Sequence, residues 1–394
     1  MSDYDNIRPF HDHEVAAVIA RVVANPDLPK AASQLVMPRV LQGTWLGEWL
    51  TRHVLRLRTS RLDSIHDCQM FIAPYFAKLV ASTITELTVS GMDKLDPQQA
   101  YLFISNHRDI VMDSSLLNYL LHLHGHNTCR MAVGDNLLTN ELAADLMRLN
   151  KSFVVERDVT GAKATLKVLN RTSGYIRHSL DEQVSIWIAQ REGRAKDGWD
   201  RTDPAVIKML ALAYREDSED ALNNLFKQVN VVPVSVSYEL DPCALPKAHE
   251  LYVVDRDGHY DKSAEEDVQS IVTGLVGDKG RVHLHFGDQV CGPFETPEAA
   301  ASALDRAIVD GMRVFPTHVD AAQQLGITSP YQADVATLDK NMQRYHQQVS
   351  AAPVAERPFL LRQYANLLCN RLELQQADPA QTASPQAAVV SADS

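Results

Sequence analysis

Short apolar runs separated by helix-length stretches are the feature that most constrains this chain. TELTVSGMDKL (85–95) alternates like a strand and ends in a Gly turn, whereas AYLFIS (100–105) is apolar throughout, as suits a strand buried on both faces. CRMAVG (129–134), SFVVER (152–157), VSIWIAQ (184–190), VNVVPVSVSYE (229–239) and RVHLHFG (281–287) continue the series. Helical stretches lie between them, from Asp113 and over 135–148, 162–180 and 203–214. Strands alternating with helices of this length predict an α/β chain, with a mixed, largely parallel sheet covered by helices. Helical spacing at 13–24, 44–62 and 69–84, and again at 296–313, 332–348 and 355–376, predicts N-terminal and C-terminal helical extensions. The expected organisation is a helical region over 1–84, an α/β domain over 85–295, a helical region over 296–376 and a disordered tail over 377–394, which is small and polar.

Composition removes several function classes. A formal net charge of −12 argues against nucleic acid as the main partner, because phosphate backbones select basic surfaces. The five cysteines are scattered and lack CxxC spacing, so neither a zinc cage nor a disulfide framework is expected, and a reducing cytoplasm fits. MSDYDNIRPFHDHEV has acids and a proline where a signal peptide needs an apolar stretch. No window of about 20 residues is apolar enough to span a bilayer. If the substrate is a lipid, it therefore has to be reached from the water side. The expected location is cytoplasmic, with peripheral contact on the inner face of the membrane.

The stretch FISNHRDIVMDSSLL (103–117) carries the chemistry. A strand runs into Asn106-His107 and a helix begins near Asp113, so these polar side chains fall at the carboxyl edge of the sheet, where open α/β folds place their sites. An imidazole there can take a proton from an alcohol near neutral pH once a carboxylate fixes its tautomer. Asp113 and Asp109 are the two candidates for that carboxylate, and Asp113 can equally be the N-cap of its helix. Phosphate recognition needs cations, for which the arginine fork is well shaped. Arg157 ends one strand and Arg194 sits beside Gly193, a residue that lets backbone N–H groups approach an anion. Glu192 can orient an arginine or an acceptor hydroxyl. Arg191, Lys196 and Arg108 are further cations near the same elements.

Taken in order, these segments resemble the glycerophosphate and lysophosphatidate acyltransferase superfamily, which has four ordered blocks. Asn106, His107 and Asp113 match the first, FVVER with Arg157 the second, and REGRAKDG with Glu192, Gly193 and Arg194 the third. VVPVSVSY with Pro233 matches the fourth. The resemblance covers about residues 85–290. It departs from the family at two points. The family usually leaves four residues between His and Asp, whereas five intervene here, Arg108 to Met112. The third block usually reads Pro-Glu-Gly-Thr-Arg, but here Arg191 replaces the Pro and the Thr is missing.

The resemblance implies an O-acyltransferase that moves a fatty acyl group from a thioester, carried by coenzyme A or acyl carrier protein, to a hydroxyl of a glycerophosphate or lysophospholipid. His107 would be the general base, with no metal and no other cofactor. The irregular His–Asp spacing also fits a second reading, a non-catalytic lipid-binding or scaffold protein that retains the fold. HRD at 107–109 also begins a kinase catalytic loop, but the Gly-rich loop and Asp-Phe-Gly are missing. HLHGH (122–126) reads as a polar helix end rather than a metal site, and His283 with His285 as a packed pair on one sheet face. In the 44–62 helix, Trp45, Trp49 and several Leu stand beside Arg52, Arg56, Arg58 and Arg61. Either this helix lies on anionic lipid, or its tryptophans pack inward.

Overall fold

The structure, a computed structural model, describes residues 4–36, 41–138, 140–157, 159–215, 220–331 and 339–377. The residues expected to form the tail, 378 onward, lie outside the described residues.

The chain begins with α1 (Asp12–Ala24), α2 (Asp27–Val36), α3 (Trp45–Thr59) and α4 (Ile65–Thr83), followed by β1 (Ile84–Ser90) and β2 (Leu102–Ser105). Then come α5 (Met112–Leu123), β3 (Arg130–Gly134), α6 (Glu141–Leu149), β4 (Ser152–Val155), α7 (Ala162–Asp181) and β5 (Ile186–Ala189). Next are α8 (Pro204–Ala211), α9 (Ala221–Gln228), β6 (Val231–Tyr238), α10 (Ala244–Asp257), α11 (Ala264–Val276) and β7 (Gly280–Phe286). The last elements are α12 (Pro297–Gly311), α13 (Pro316–Gln324), α14 (Lys340–Ala351) and α15 (Arg357–Ala377). The strands fall where apolar runs predict them. The helices α2, α9, α10, α11 and α13 were not anticipated.

Two compact units share these elements. One contains Met1–Ala77 with Cys129–Tyr175, the other Lys78–Thr128 with Ile176–Ser394. In the first unit, β3 and β4 pair in parallel, Ala132 opposite Phe153. Its helices bury Val15, Val18 and Val22 of α1 against Ile65, Cys68 and Leu149. Each such aliphatic side chain contributes about 1.5–3 kcal/mol when fully buried.

In the second unit the strand order is β1-β7-β6-β2-β5. The pairs β1–β7, β6–β2 and β2–β5 are parallel and β6–β7 is antiparallel, which makes the sheet mixed and mostly parallel. All four residues of β2 are buried, as its unbroken apolar run requires. Pro233 sits inside β6, where a missing N–H would normally break a ladder. It is tolerated because Val236 turns its backbone groups toward the β2 side, so Pro233 faces the β7 side, where β7 has just ended. Gly287 N–H still donates to the Pro233 carbonyl at 2.9 Å.

The C-terminal helices form a core of their own in this unit. Leu240, Ala244 and Ala248 pack with Ile308, Val319, Tyr345, Leu360 and Leu368. Helix α15 also holds the loop that follows β5. Asn366 Nδ2 donates to the Asp197 carbonyl at 2.6 Å and Asn370 Nδ2 to that of Gly198 at 3.2 Å. Gly198 has φ +78°, and a Cβ there would lie 2.3 Å from the Gln363 carbonyl oxygen, so both its conformation and the close approach of α15 require glycine.

Candidate active site

Strand β2 ends at Ser105, and the Asn106 side chain extends its pairing. Asn106 Nδ2 donates to the Val236 carbonyl at 3.0 Å, and Val236 N–H donates to Asn106 Oδ1 at 2.8 Å. A carboxamide suits this position because it presents a donor and an acceptor side by side, as a backbone amide does. Asn106 is thereby consumed in structure, and His107 projects from the end of the strand. The imidazole packs edge-to-face on Trp187, with ring centroids 5.6 Å apart. Trp187 Nε1 is itself tied to Ser105 Oγ at 2.9 Å.

His107 Nδ1 lies 2.7 Å from Asp113 Oδ2. Asp113 is fully buried and also accepts Arg108 N–H at 2.6 Å, Asp109 N–H at 3.0 Å and, on Oδ1, the Tyr238 hydroxyl at 2.7 Å. Burial pushes its carboxyl up, but the hydrogen bond and charge of His107, helped by Asp109 N–H and Tyr238, outweigh burial and hold it below the usual value. An ionised Asp113 takes the Nδ1 proton of His107 as a hydrogen bond and leaves the Nε2 lone pair free. Nε2 has no hydrogen-bond partner among the described residues, and the side chain is 14% exposed.

The extra residue between His107 and Asp113 is absorbed by Asp109. Its Oδ1 accepts the N–H groups of Val111 at 3.0 Å and Met112 at 2.9 Å, so Asp109 caps α5 and Asp113 is released to face the histidine. Asp109 is buried against α11, where a Cβ on Gly274 would come 2.1 Å from its Oδ2. Burial, reinforced by the charge of Asp113, pushes its carboxyl up. Lys247 of α10, almost wholly buried, donates to the Arg108 carbonyl at 2.7 Å and fixes the same loop from the other side.

The turn after β5 reaches this loop through the backbone, because Ala195 N–H donates to the His107 carbonyl at 2.9 Å. Gly193 has φ +73° with open space around it, so its conformation alone selects glycine. Arg191 and Arg194 have no hydrogen bond or ion pair among the described residues, and the charge of Arg194 is felt at the buried Cys243 thiol. Glu192 is exposed. Two neighbouring cations are already neutralised. Arg108 pairs with Asp200, and Lys196 pairs with Glu250 of α10. Burial pushes the Asp200 carboxyl up to about 6 against the pull of Arg108.

The remaining candidates lie elsewhere. Arg157 belongs to the first unit, just after β4, with its N–H 3.3 Å from the Asp135 carboxylate and its guanidinium lying across Gly134. Pro233 is a sheet residue opposite Ile104. His124 Nδ1 is 2.9 Å from the Leu120 carbonyl at the end of α5. His283 and His285 both bond Ser90 Oγ, at 3.0 and 2.7 Å. Among the described residues no group of three or more His, Cys, Asp or Glu could hold a metal ion.

Tyr238 and Lys247 went unanticipated. Tyr238 lies in the quoted VVPVSVSY run, but its alternation announces only a strand, and nothing in the local pattern marks its hydroxyl as a partner of Asp113.

The strand-end histidine is thus held by a buried carboxylate, and its carbonyl is hydrogen-bonded to the turn that carries Gly193, Arg191 and Arg194. Residues 86–237 match the acyltransferase family model, and the chain accordingly contains an acyltransferase domain. Among solved structures it is similar to the crystal structure of the 1-acyl-sn-glycerophosphate (LPA) acyltransferase PlsC from Thermotoga maritima. Identity is 14%, over 72% of this chain and 92% of that one, with a TM-score of 0.39. It is also similar to the signal recognition particle receptor FtsY from Elizabethkingia anophelis in complex with GDP. There the identity is 10%, over 76% of this chain and 93% of that one, with a TM-score of 0.22. At such scores neither likeness bears on function. No curated protein matches the chain.

Proposed function

We propose that the chain transfers a fatty acyl group from a thioester of coenzyme A or acyl carrier protein to a hydroxyl of a glycerophosphate or lysophospholipid. The observation that carries this reading is the His107–Asp113 hydrogen bond at 2.7 Å, which leaves Nε2 free in a domain of the acyltransferase family. Nε2 takes the acceptor hydroxyl proton as the oxygen attacks the thioester carbonyl. The tetrahedral adduct then collapses, the C–S bond breaks, and the thiolate leaves and recovers the proton from the imidazolium. Asp113 holds the tautomer and stabilises the imidazolium. Arg194 and Arg191, on the turn hydrogen-bonded to the His107 carbonyl, are the candidates for the acceptor phosphate. Gly193 lets the turn close, and Glu192 orients an arginine or the acceptor hydroxyl.

Access to lipid is proposed through α3 as peripheral contact from the cytoplasmic side. Trp45 is 77% and Trp49 49% exposed, and Leu57 is exposed too, in a helix that also carries Arg52, Arg56 and Arg58. Trp and Arg side chains side by side suit the boundary between acyl chains and anionic headgroups. No helix among the described residues is long and apolar enough to cross a membrane.

Incubating the full chain with acyl-CoA or acyl carrier protein thioesters and a mixed pool of glycerol 3-phosphate and lysophospholipids tests the reaction. Mass spectrometry is expected to show one acylated acceptor class forming as free thiol appears. Binding of the lipids without acyl transfer would instead identify a non-catalytic lipid-binding protein.

A further inference from the structure

We propose that Tyr238 is a positioning residue for the base, its hydroxyl bond to Asp113 setting both the orientation of the carboxylate and the basicity of His107. The kinetic part of this inference rests on the acyl-transfer reading, whereas the part concerning His107 itself does not.

The donors to Asp113 are unevenly divided. Oδ2 receives His107 Nδ1 and the N–H groups of Arg108 and Asp109, while Oδ1 receives the Tyr238 hydroxyl. Tyr238 does not need that bond to stay in place. Its backbone is paired with Val282 of β7, and its carbonyl accepts His318 Nε2 at 3.1 Å. Phe315 N–H donates to His318 Nδ1 at 3.2 Å, so His318 is neutral with its proton on Nε2, and burial keeps it so by pushing it down to about 3. Burial and the charge of Asp113 push the Tyr238 phenol well above its ordinary value, so it remains a donor at every working pH.

The charged neighbours leave Tyr238 as the adjustable contact. Lys247 of α10 is spent on Asp241 and the Arg108 carbonyl, and Arg108 on Asp200. Asp109 is turned to the N–H groups of Val111 and Met112. A donor on Oδ1 disperses the charge of Asp113 and so weakens its pull on the imidazolium. Without it, Asp113 becomes the stronger acceptor and His107 the stronger base, and a larger share of His107 is protonated at neutral pH.

Two variants test this on the full chain. Tyr238→Phe removes the donor with little change of shape, and 3-fluorotyrosine at position 238 strengthens it. The His107 imidazole is titrated by NMR without substrate, and kcat/KM is measured against pH. For Tyr238→Phe the expected result is an upward shift of both the His107 titration and the acid limb of kcat/KM, by about half a pH unit or more. Activity should fall at neutral pH, by up to about threefold for a half-unit shift, and recover at alkaline pH. Fluorotyrosine should move both downward. A uniform loss of activity at every pH, or a His107 titration that neither variant moves, overturns the proposal. If the wild type transfers no acyl group but the titration still shifts, the reaction assigned above fails and the positioning role stands. Should Tyr238→Phe not fold, the fluorotyrosine shift decides.

Discussion

A buried carboxylate that accepts from an imidazole, two backbone N–H groups and a phenol stays ionised, whereas one that caps a helix beside it pays for its burial. That contrast separates Asp113 from Asp109. Asp113→Asn is expected to lower kcat/KM by about 10²-fold or more, because the wrong tautomer of His107 is then favoured. Asp109→Asn should stay within about threefold of wild type, since Asn caps as well as Asp. The pH dependence of stability separates them too. Asp109 is raised in the folded state, so its contribution is fully present below the unfolded value of about 4 and lost as pH rises through the folded one. Denaturant midpoints of Asp109→Asn should therefore exceed wild type at neutral pH and depend less on pH between those limits. Equal slopes for the two proteins would contradict the assignment. His107 and both aspartates were legible in the sequence. The sequence put Asp113 ahead of Asp109 as the partner of the histidine without deciding between them, because the choice turns on which one caps α5, and a single inserted residue changes the backbone path.

At the scale of elements, unbroken apolar runs located β2 and β6, where burial on both faces leaves little choice of residue, while β1 showed by alternation. Helix α11 was missed although Ser263 and Glu266 form a capping box at its start, a signal the apolar pattern alone passes over. Helix α10 was missed for another reason. Its apolar residues show no clear one-sided spacing, and Pro246 falls within it. The clamp of α15 on the 191–200 turn had no local signal at all, because Asn366 and Asn370 act on carbonyls more than 160 residues away in sequence. Gly198→Ala tests that clamp. A Cβ forced into a left-handed conformation against the Gln363 carbonyl should cost about 1–3 kcal/mol of stability. KM for the phosphorylated acceptor should rise more than kcat falls, because the turn carrying Arg191 and Arg194 is displaced. Chemical denaturation and steady-state kinetics measure the two effects, and an unchanged KM would detach the clamp from acceptor binding.

For the molecule as a whole, the sequence left open whether Trp45 and Trp49 face inward, because apolar residues recur around much of α3. Their exposure settles that they do not. Wild type is expected to float with anionic liposomes and to release as salt rises, since the arginines contribute through screened charge. The Trp45→Ala/Trp49→Ala protein should remain behind, and equal flotation would rule the helix out as the contact. Acyl transfer by the full chain remains the claim on which the rest depends. It is tested most directly by kcat/KM of His107→Ala against wild type, at matched folded fraction and saturating thioester. A loss of about 10²–10⁴-fold with an unchanged melting temperature is the expected result. A variant within about threefold of wild type would show that the acyl group moves without His107.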